Sequence, residues 1–231
     1  MRVLELFSGT HSVGRVYKEK GYEVVSLDLC KADINIDIME WDYKTYDKDY
    51  FDIIWASPPC VYFSVLRLCC VGRKLKAYDN KVATREMIDK DMIEKGLPLL
   101  RKTQEIINYF NCKYWFIENP QTARTKNFME GIPYYDVDYC KYSSEDDVFD
   151  YRKRTRIWTN LQNFTPKICK KDCKHIVKTE KRTFHKNNCG RTFYLKHSKD
   201  VSKDYGGGTN RDMRYRIPKK LTKELIKCVE D

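Results

Sequence analysis

The chain has 231 residues, of which 42% are hydrophobic, 13% aromatic and 33% charged. This length fits one domain with a small appendage, and the aromatic content excludes a wholly disordered protein. The longest uncharged stretch, Ile53–Leu66, contains two prolines and is shorter than the roughly 20 apolar residues of a membrane-spanning helix. Because Met1–Phe7 has no apolar run before its glutamate, we expect no secretory signal and an intracellular protein.

The net charge of +11 is concentrated in the last third of the chain. Residues 1–151 carry 21 lysines and arginines against 25 acidic residues, whereas residues 152–231 carry 23 against 8. Such a basic segment indicates a nucleic-acid-binding face, and a solvated lysine-rich surface is the alternative. We expect the ten cysteines to be thiols or metal ligands rather than a disulfide framework.

The first predicted elements are a strand, a helix and a second strand. Arg2–Phe7 has the apolar character of a buried strand, and a turn at Gly9 follows it. A helix is predicted from about Ser12 to Lys20, and Gly21 ends it. Glu23–Asp28 is the second predicted strand, and its last residue is an acid.

Further elements are predicted downstream, as strands over Phe51–Trp55, Lys113–Ile117 and Arg156–Thr159 and as a helix over Leu97–Phe110. Short apolar strands that alternate with helices predict a parallel, helix-covered α/β sheet. Residues 67–96 lack this periodicity and are predicted to be a functional loop. Residues 160–216 also lack it and hold most of the basic excess, either as an insert that contacts a partner or as irregular surface.

Unusual residues stand at the ends of four predicted strands, namely Phe7–Thr10, Asp28, Ser57–Cys60 and Glu118–Pro120. Ligands of an open parallel sheet bind beyond the carboxyl ends of its strands. We therefore expect these four segments to line one crevice.

The first two of these strand ends predict an adenosine-type ligand. Gly9 allows a sharp turn and a close approach of the ligand to the backbone. Asp28 suits a carboxylate that accepts hydrogen bonds from ribose hydroxyls. Gly9–Gly14 lacks the middle glycine of the dinucleotide fingerprint, and Arg15-Val16 stand where a phosphate loop needs lysine and a hydroxyl residue.

Two residues have the chemistry of catalytic groups. Cys60 follows two prolines, which fix the backbone and present the thiol at a defined angle. Nearby positive charge, for which Arg154 and Arg156 are candidates, would favour the nucleophilic thiolate. Glu118 ends an apolar strand and suits a general acid. The alternatives are an inert, half-buried cysteine and an acid that holds a loop.

Four motifs stand in the order Leu6–Gly9, Ser57–Cys60, Phe116–Pro120 and Arg154–Arg156. This ordered set resembles the signature motifs of cytosine-5 DNA methyltransferases, most of all the short versions found in phages and large DNA viruses. The resemblance covers most of residues 1–160 and returns at Arg214–Pro218.

The resemblance implies a role for each matching residue. Cys60 matches the nucleophile that adds to C6 of cytosine, and Glu118 resembles the acid that contacts the ring nitrogen. Arg154 and Arg156 resemble the arginines that hold the base and the nucleophile loop. The implied cofactor is S-adenosylmethionine, with S-adenosylhomocysteine as its product. Its matching positions are Phe7, Gly9, Thr10, Asp28, Leu29, Asp37, Ile38 and Pro59.

The resemblance also implies the domain organisation and the function. We expect a Rossmann-like class I methyltransferase sheet with helices on both faces over residues 1–159, a small basic recognition insert over 160–213 and a C-terminal helix over 214–231. The implied enzyme is a monomer that methylates a flipped-out cytosine of double-stranded DNA and does not bind membranes. An RNA (tRNA) methyltransferase with the same chemistry and a catalytically silent nucleic-acid-binding protein stay open.

A cluster of possible metal ligands lies in the basic segment, at Cys169, Cys173, His175, His185 and Cys189. Cys-x3-Cys followed by His-x3-Cys could bind tetrahedral zinc and staple an insert that has no core of its own. These residue types in a lysine-rich loop can also be incidental. We therefore assign no metal site from the sequence, and leave open whether Cys169, Cys173, His185 and Cys189 bind zinc.

Overall fold

The computed structural model describes residues 1–178, 180, 183–185, 187–188, 191–192 and 215–230. Cys189, Arg214 and all of the predicted insert beyond residue 192 lie outside the described residues. The domain boundaries at 160 and 213 therefore stay predictions. Among the helices of the described residues, none is both long enough and apolar enough to cross a membrane.

Seven strands of the described chain form one central sheet. They are β1 (Arg2–Leu6), β2 (Glu23–Asp28), β3 (Ile34–Asn35), β4 (Ile53–Ala56), β5 (Tyr114–Pro120), β6 (Tyr134–Asp138) and β7 (Arg154–Thr159). Their spatial order is β3-β2-β1-β4-β5-β7-β6. Strands β1 to β5 run parallel, whereas β7 runs antiparallel to both β5 and β6.

The predicted parallel sheet is confirmed for β1 to β5 and is wrong for β7. Residues 139–153 join β6 to β7 without an α-helix. A parallel pair usually needs a helical crossover, so this connection suits an antiparallel pair. Two strands of the central sheet were not predicted: β3 has only two residues, and β6 is a short segment in which Asp136 and Asp138 interrupt the apolar residues.

Four α-helices stand in the described residues: α1 (Gly14–Glu19), α2 (Arg85–Asp91), α3 (Leu97–Tyr109) and α4 (Lys219–Glu230). One face of the sheet is covered by α1 and α4, where Val16 and Leu225 pack in one core with Val3 of β1. The opposite face is covered by α3, where Leu100 packs in a second core with Leu4. The predicted helices on both faces are therefore confirmed.

The two cores explain why β1 is apolar almost throughout. Successive side chains of a strand point to opposite faces, so Val3 enters the core under α1 and α4 while Leu4 enters the core under α3. A strand that is covered on both sides buries every side chain and reads as a continuous apolar run.

Residues 67–96 are folded, and the prediction of a loop was wrong for this segment. Two 3-10 turns, over Val65–Cys70 and Lys76–Tyr78, precede α2, and a π-helical turn over Met92–Gly96 connects α2 to α3. Asp91 holds the segment together. Burial would raise the pKa of Asp91, but hydrogen bonds from Lys95, Tyr78 and Arg67 outweigh it and bring the pKa to about 2.

Two short antiparallel hairpins follow the sheet in the basic part of the chain. The first pairs β8 (Ile176–Lys178) with β9 (Thr183–His185), and the second pairs β10 (Asn187–Asn188) with β11 (Arg191–Thr192). Neither hairpin belongs to the central sheet.

Candidate active site

The carboxyl ends of β1, β2, β4 and β5 lie side by side at one edge of the sheet. Leu6 is paired with Leu27 of β2 and with Ala56 of β4, and Ala56 is paired with Ile117 of β5. The residues that follow these strands therefore lie at the same edge of the sheet, where the sequence predicts one crevice.

The loop after β4 presents Cys60 at this edge. Asn119 of β5 is fully buried and donates its side-chain Nδ2 to the carbonyl oxygen of Pro58, 2.9 Å away. Thr125 Oγ1 donates to Asn119 Oδ1 at 3.0 Å. Cys60 is half-buried and begins a 3-10 turn. The prolines and the buried asparagine together fix the backbone that carries the thiol.

Glu118 is buried and has two partners that sequence analysis missed. Tyr139, which is fully buried, donates its hydroxyl to Glu118 Oε1 at 3.0 Å. The Lys153 ammonium lies 3.4 Å from the same oxygen. Burial and the nearby Glu118 raise the pKa of Tyr139 well above its ordinary value, so the phenol stays protonated and keeps donating.

Cys60, Lys153 and Glu118 act on one another electrostatically. Burial has the largest effect and raises the pKa of the Cys60 thiol, whereas the Lys153 ammonium lowers it and the Glu118 carboxylate raises it. The cation that favours the Cys60 thiolate is therefore Lys153, and not Arg154 or Arg156 as the sequence suggested. The net pKa lies above the ordinary value of a thiol, so the resting group is protonated at neutral pH.

Arg156 points away from Glu118. In the β5–β7 pair, Glu118 stands opposite Ile157, whose side chain lies in the core under α1 and α4. Arg156 directly precedes Ile157 in β7, so its side chain points to the other face of the sheet. Arg156 therefore lies on the face of the sheet opposite Glu118, whereas the resemblance implies that it holds the base and the nucleophile loop.

On its own face, Arg156 is held by β6. Its Nε and Nη2 donate to the two carboxylate oxygens of Asp136, at 2.7 and 2.8 Å, and its guanidinium lies 3.5 Å from the centre of the Tyr134 ring. Arg154 is exposed and begins β7 beside the end of β5, at the edge of the crevice. The two arginines thus have different surroundings.

The ends of β1 and β2 form a cradle around Asp28. Gly9 N donates to one oxygen of the Asp28 carboxylate at 2.8 Å, and Leu29 N donates to the other at 2.7 Å. Phe7, Gly9 and His11 have positive φ angles of 57°, 46° and 52°, so the loop turns sharply around this carboxylate. Each carboxylate oxygen has a second acceptor site, and the half-buried Asp28 can therefore accept two hydroxyl groups.

The other predicted cofactor residues differ in their exposure. The side chain of Leu29 is 69% exposed, whereas Ile38 is buried in the core under α3. Thr10, Asp37 and Pro59 are half-buried. Asp28 and its neighbours thus offer a polar acceptor beside an open apolar surface.

A cleft of about 440 Å³ continues from Thr10 along α1. Its floor is Glu5 of β1, a buried carboxyl whose pKa burial raises to about 7. A side chain at Gly14 would collide with the Glu5 carboxylate, so the start of α1 needs a glycine. His11 lies 3.8 Å from Glu5. Sequence analysis missed Glu5, because an acid within an apolar strand gives no local signal of its surroundings.

A curated protein matches this chain over nearly its full length. No family model matches the chain. A protein of Frog virus 3 (isolate Goorha), named probable DNA (cytosine-5)-methyltransferase, is 40% identical over 234 residues. The match covers 98% of this chain and 99% of that protein.

Solved structures are more distant. A mutant of Spodoptera frugiperda DNMT2 is 19% identical with a TM-score of 0.44, and the match covers 72% of this chain and 53% of that one. The S. pombe Dnmt2 methyltransferase is 13% identical with a TM-score of 0.41, over 73% of this chain and 51% of that one. The chain spans about half the length of these two solved proteins.

Proposed function

We propose that this chain, which belongs to the DNA (cytosine-5)-methyltransferase family, transfers a methyl group from S-adenosylmethionine to C5 of cytosine in double-stranded DNA. The family follows from 40% identity over nearly the whole of both chains. What remains to be assigned is the part that each residue of the crevice plays.

The observation that carries the proposal is the position of Cys60. The thiol stands at the same sheet edge as Glu118 and the Asp28 cradle, and its charge state depends on Glu118 and Lys153. A nucleophile, an acid and a ribose-type acceptor in one crevice are the groups that this reaction requires.

We assign the cofactor to the cradle, which fits an adenosine. The second acceptor sites of Asp28 suit the two ribose hydroxyls, and the Gly9 backbone leaves room for close approach. The exposed Leu29 side chain suits the adenine ring. Further contacts are proposed for Phe7, Thr10, Asp37, Ile38 and Pro59. When bound, S-adenosylmethionine supplies a methyl group attached to a positively charged sulfur, which is an electrophile.

The chemistry begins with a base that has been flipped out of the duplex, at a cost of a few kcal/mol. The Cys60 thiolate forms a bond to C6, and the displaced electron pair moves into the ring, where Glu118 stabilises it at the ring nitrogen. C5 becomes a nucleophile and accepts the methyl group. Loss of the C5 proton and cleavage of the C6–S bond then release the product and restore Cys60.

Lys153 and Tyr139 serve as positioning residues in this proposal. Lys153 favours the thiolate of Cys60 and also holds Glu118, while Tyr139 fixes the Glu118 carboxyl by its hydrogen bond. Arg154 is exposed at the start of β7 and suits a contact to a phosphate. Arg156 supports the β6–β7 edge through Asp136.

Labelled methyl transfer tests the function. Wild type and Cys60→Ala are incubated with S-adenosylmethionine carrying a labelled methyl group, and with either duplex DNA or tRNA. We expect label in DNA with wild type and none with Cys60→Ala. Label in tRNA alone would establish the RNA enzyme instead. Binding of DNA with no label in either polymer would establish a catalytically silent binding protein.

A further inference from the structure

Three sulfur atoms and one imidazole nitrogen converge where the first hairpin meets the central sheet. The Sγ atoms of Cys140, Cys169 and Cys173 and a ring nitrogen of His185 all lie within 4.8 Å of one another. The Cys169 Sγ and His185 Nε2 atoms are 3.4 Å apart. Bonds of about 2.3 Å to sulfur and 2.0 Å to nitrogen place tetrahedral zinc ligands roughly 3.5–3.8 Å apart, so a small contraction closes the site.

We propose that Cys140, Cys169, Cys173 and His185 bind one structural Zn²⁺ ion. Four protein ligands of the Cys3His type fill the tetrahedral coordination of zinc and leave no position for a substrate. The site is therefore distinct from the crevice that contains Cys60, and its role is to hold the chain together.

Cys140 supplies the ligand that the local sequence pattern cannot provide. Sequence analysis placed a possible site within Cys169–Cys189, where two cysteines are separated by three residues. Cys140 stands 29 positions earlier, in the 3-10 turn that follows β6. Cys189, the fourth ligand considered from the sequence, lies outside the described residues.

Local hydrogen bonds bring the four ligands together. The Cys169 amide donates to Asp138 Oδ2 at 2.7 Å, which fixes the first cysteine of the insert beside the end of β6. Lys171 has a positive φ of 62°, so the chain turns back between the two cysteines. The β8–β9 hairpin then pairs Ile176 with His185 and returns the imidazole to the cysteines.

The burial of an imidazole among three sulfur atoms, rather than the burial of the cysteines alone, favours a metal over free thiols. Cys140, Cys169 and His185 are 3%, 2% and 9% exposed. The hairpin beside them has only three residues in each strand, which is too little to bury a core of its own. A disulfide would use two of the three sulfurs and leave the third and the imidazole buried together, whereas zinc uses all four groups.

The proposed zinc would join the basic segment to the catalytic crevice. Cys140 directly follows Tyr139, whose hydroxyl holds Glu118. Asp138, which precedes Tyr139, accepts a hydrogen bond from Arg152 at 2.8 Å as well as the one from Cys169. Loss of the metal would therefore loosen the segment on which Tyr139 stands.

Metal analysis of the full chain tests the proposal. The protein is purified under reducing conditions, dialysed against metal-free buffer, and assayed for zinc per chain by mass spectrometry. We expect one zinc per chain in wild type and in Cys69→Ser, which changes an exposed cysteine elsewhere. In Cys140→Ser, we expect zinc affinity to fall by more than the roughly 10–100-fold that loss of an outer-shell partner costs.

If Cys140→Ser does not fold, the proposal can still be tested by loading folded wild type and His185→Cys with Co²⁺ in place of zinc. Co²⁺-loaded wild type should show thiolate charge-transfer bands and the intense visible bands of a tetrahedral site. His185→Cys keeps four ligands, so it should retain the metal and increase the charge-transfer absorption by about a third, in proportion to its thiolates. Folded wild type that carries no zinc, or zinc binding that is unchanged in Cys140→Ser, would overturn the proposal. A Cys140–Cys169 or Cys169–Cys173 disulfide in metal-free, folded protein would also overturn it.

Discussion

The Lys153 ammonium lies 3.4 Å from Glu118 Oε1, on the side of the sheet where Tyr139 donates to the same oxygen. Lys153 also lowers the pKa of the Cys60 thiol. One cation therefore acts on both Cys60 and Glu118, and it precedes by one residue Arg154, one of the two arginines that the sequence suggested for this part.

Replacing Lys153 should make Cys60 less reactive. Lys153→Met removes the positive charge that lowers the pKa of the Cys60 thiol, so this pKa rises. The thiolate fraction at pH 7.5 should therefore fall, and alkylation by iodoacetamide should slow several-fold. Mass spectrometry resolves the modification of Cys60 from that of the exposed cysteines. Lys227→Met, an exposed lysine of α4, serves as the matched control and should react like wild type.

Cys60 reactivity should also depend on pH in a defined direction. The thiol pKa is raised, so the thiolate is the minor form at pH 7, and its amount grows about tenfold for each pH unit below that pKa. Glu118→Gln removes a carboxylate that raises this pKa, and its alkylation profile should shift to lower pH. A profile that is flat between pH 7 and 8 would disagree with the environment described for Cys60.

Tyr139 should affect the reaction without affecting DNA binding. Tyr139→Phe deletes the hydrogen bond to Glu118, and we expect methyl transfer to fall by roughly 10- to 100-fold, since a hydrogen bond to a charged group is worth about 1.5–3 kcal/mol. Tyr22→Phe is the control, because it removes a hydrogen bond of the same kind and the same length, 3.0 Å, from the Tyr22 hydroxyl to Glu230. Neither of these two residues belongs to the proposed active site. Equal losses in the two variants would mean that the Tyr139 hydroxyl has no special role.

Asn119 should contribute to the stability of the folded protein. Asn119→Ala leaves the Pro58 carbonyl and the Thr125 hydroxyl without their buried partner, which costs about 1–3 kcal/mol. Thr125→Val removes only the second of these hydrogen bonds and should cost less. Urea denaturation gives the free energies of unfolding. The proposal fails on this point if Thr125→Val destabilises the protein as much as Asn119→Ala does.

The buried Glu5 should make stability depend on pH. The folded-state pKa of about 7 exceeds the ordinary value of 4.5, so the folded protein binds more protons between these values and becomes less stable as pH rises through them. Glu5→Gln removes this effect. The variant should match wild type below pH 4.5 and exceed it by up to about 3 kcal/mol at pH 8. A stability difference that does not change with pH would contradict the burial of an ionisable group at this position.

The sequence could predict the parts of the site that lie at strand ends. Cys60 follows β4, Glu118 lies near the end of β5, and the parallel order of those two strands brings both residues to one edge. Lys153, Tyr139 and Cys140 lie in or beside the 139–153 connection, where no strand or helix pattern stands out. Their roles depend on contacts between residues that are 21 or more positions apart, which composition and periodicity do not encode.

The same reason explains the errors at β7 and in residues 67–96. The direction of β7 is determined by its partners β5 and β6, not by its own apolar residues. Residues 67–96 have few large apolar groups, and their fold depends on buried polar contacts such as those that Arg67 and Tyr78 make with Asp91. Such contacts leave no hydrophobic pattern in the sequence.

Covalent trapping on duplex DNA that contains 5-fluorocytosine tests the central claim most directly. Fluorine at C5 cannot leave as a proton does, so the bond between the enzyme and C6 persists after methyl transfer. With S-adenosylmethionine present, we expect wild type and Cys69→Ser to form a denaturation-resistant complex, Glu118→Gln to form far less, and Cys60→Ser to form none. A complex of undiminished yield with Cys60→Ser would contradict the assignment of Cys60 as the nucleophile.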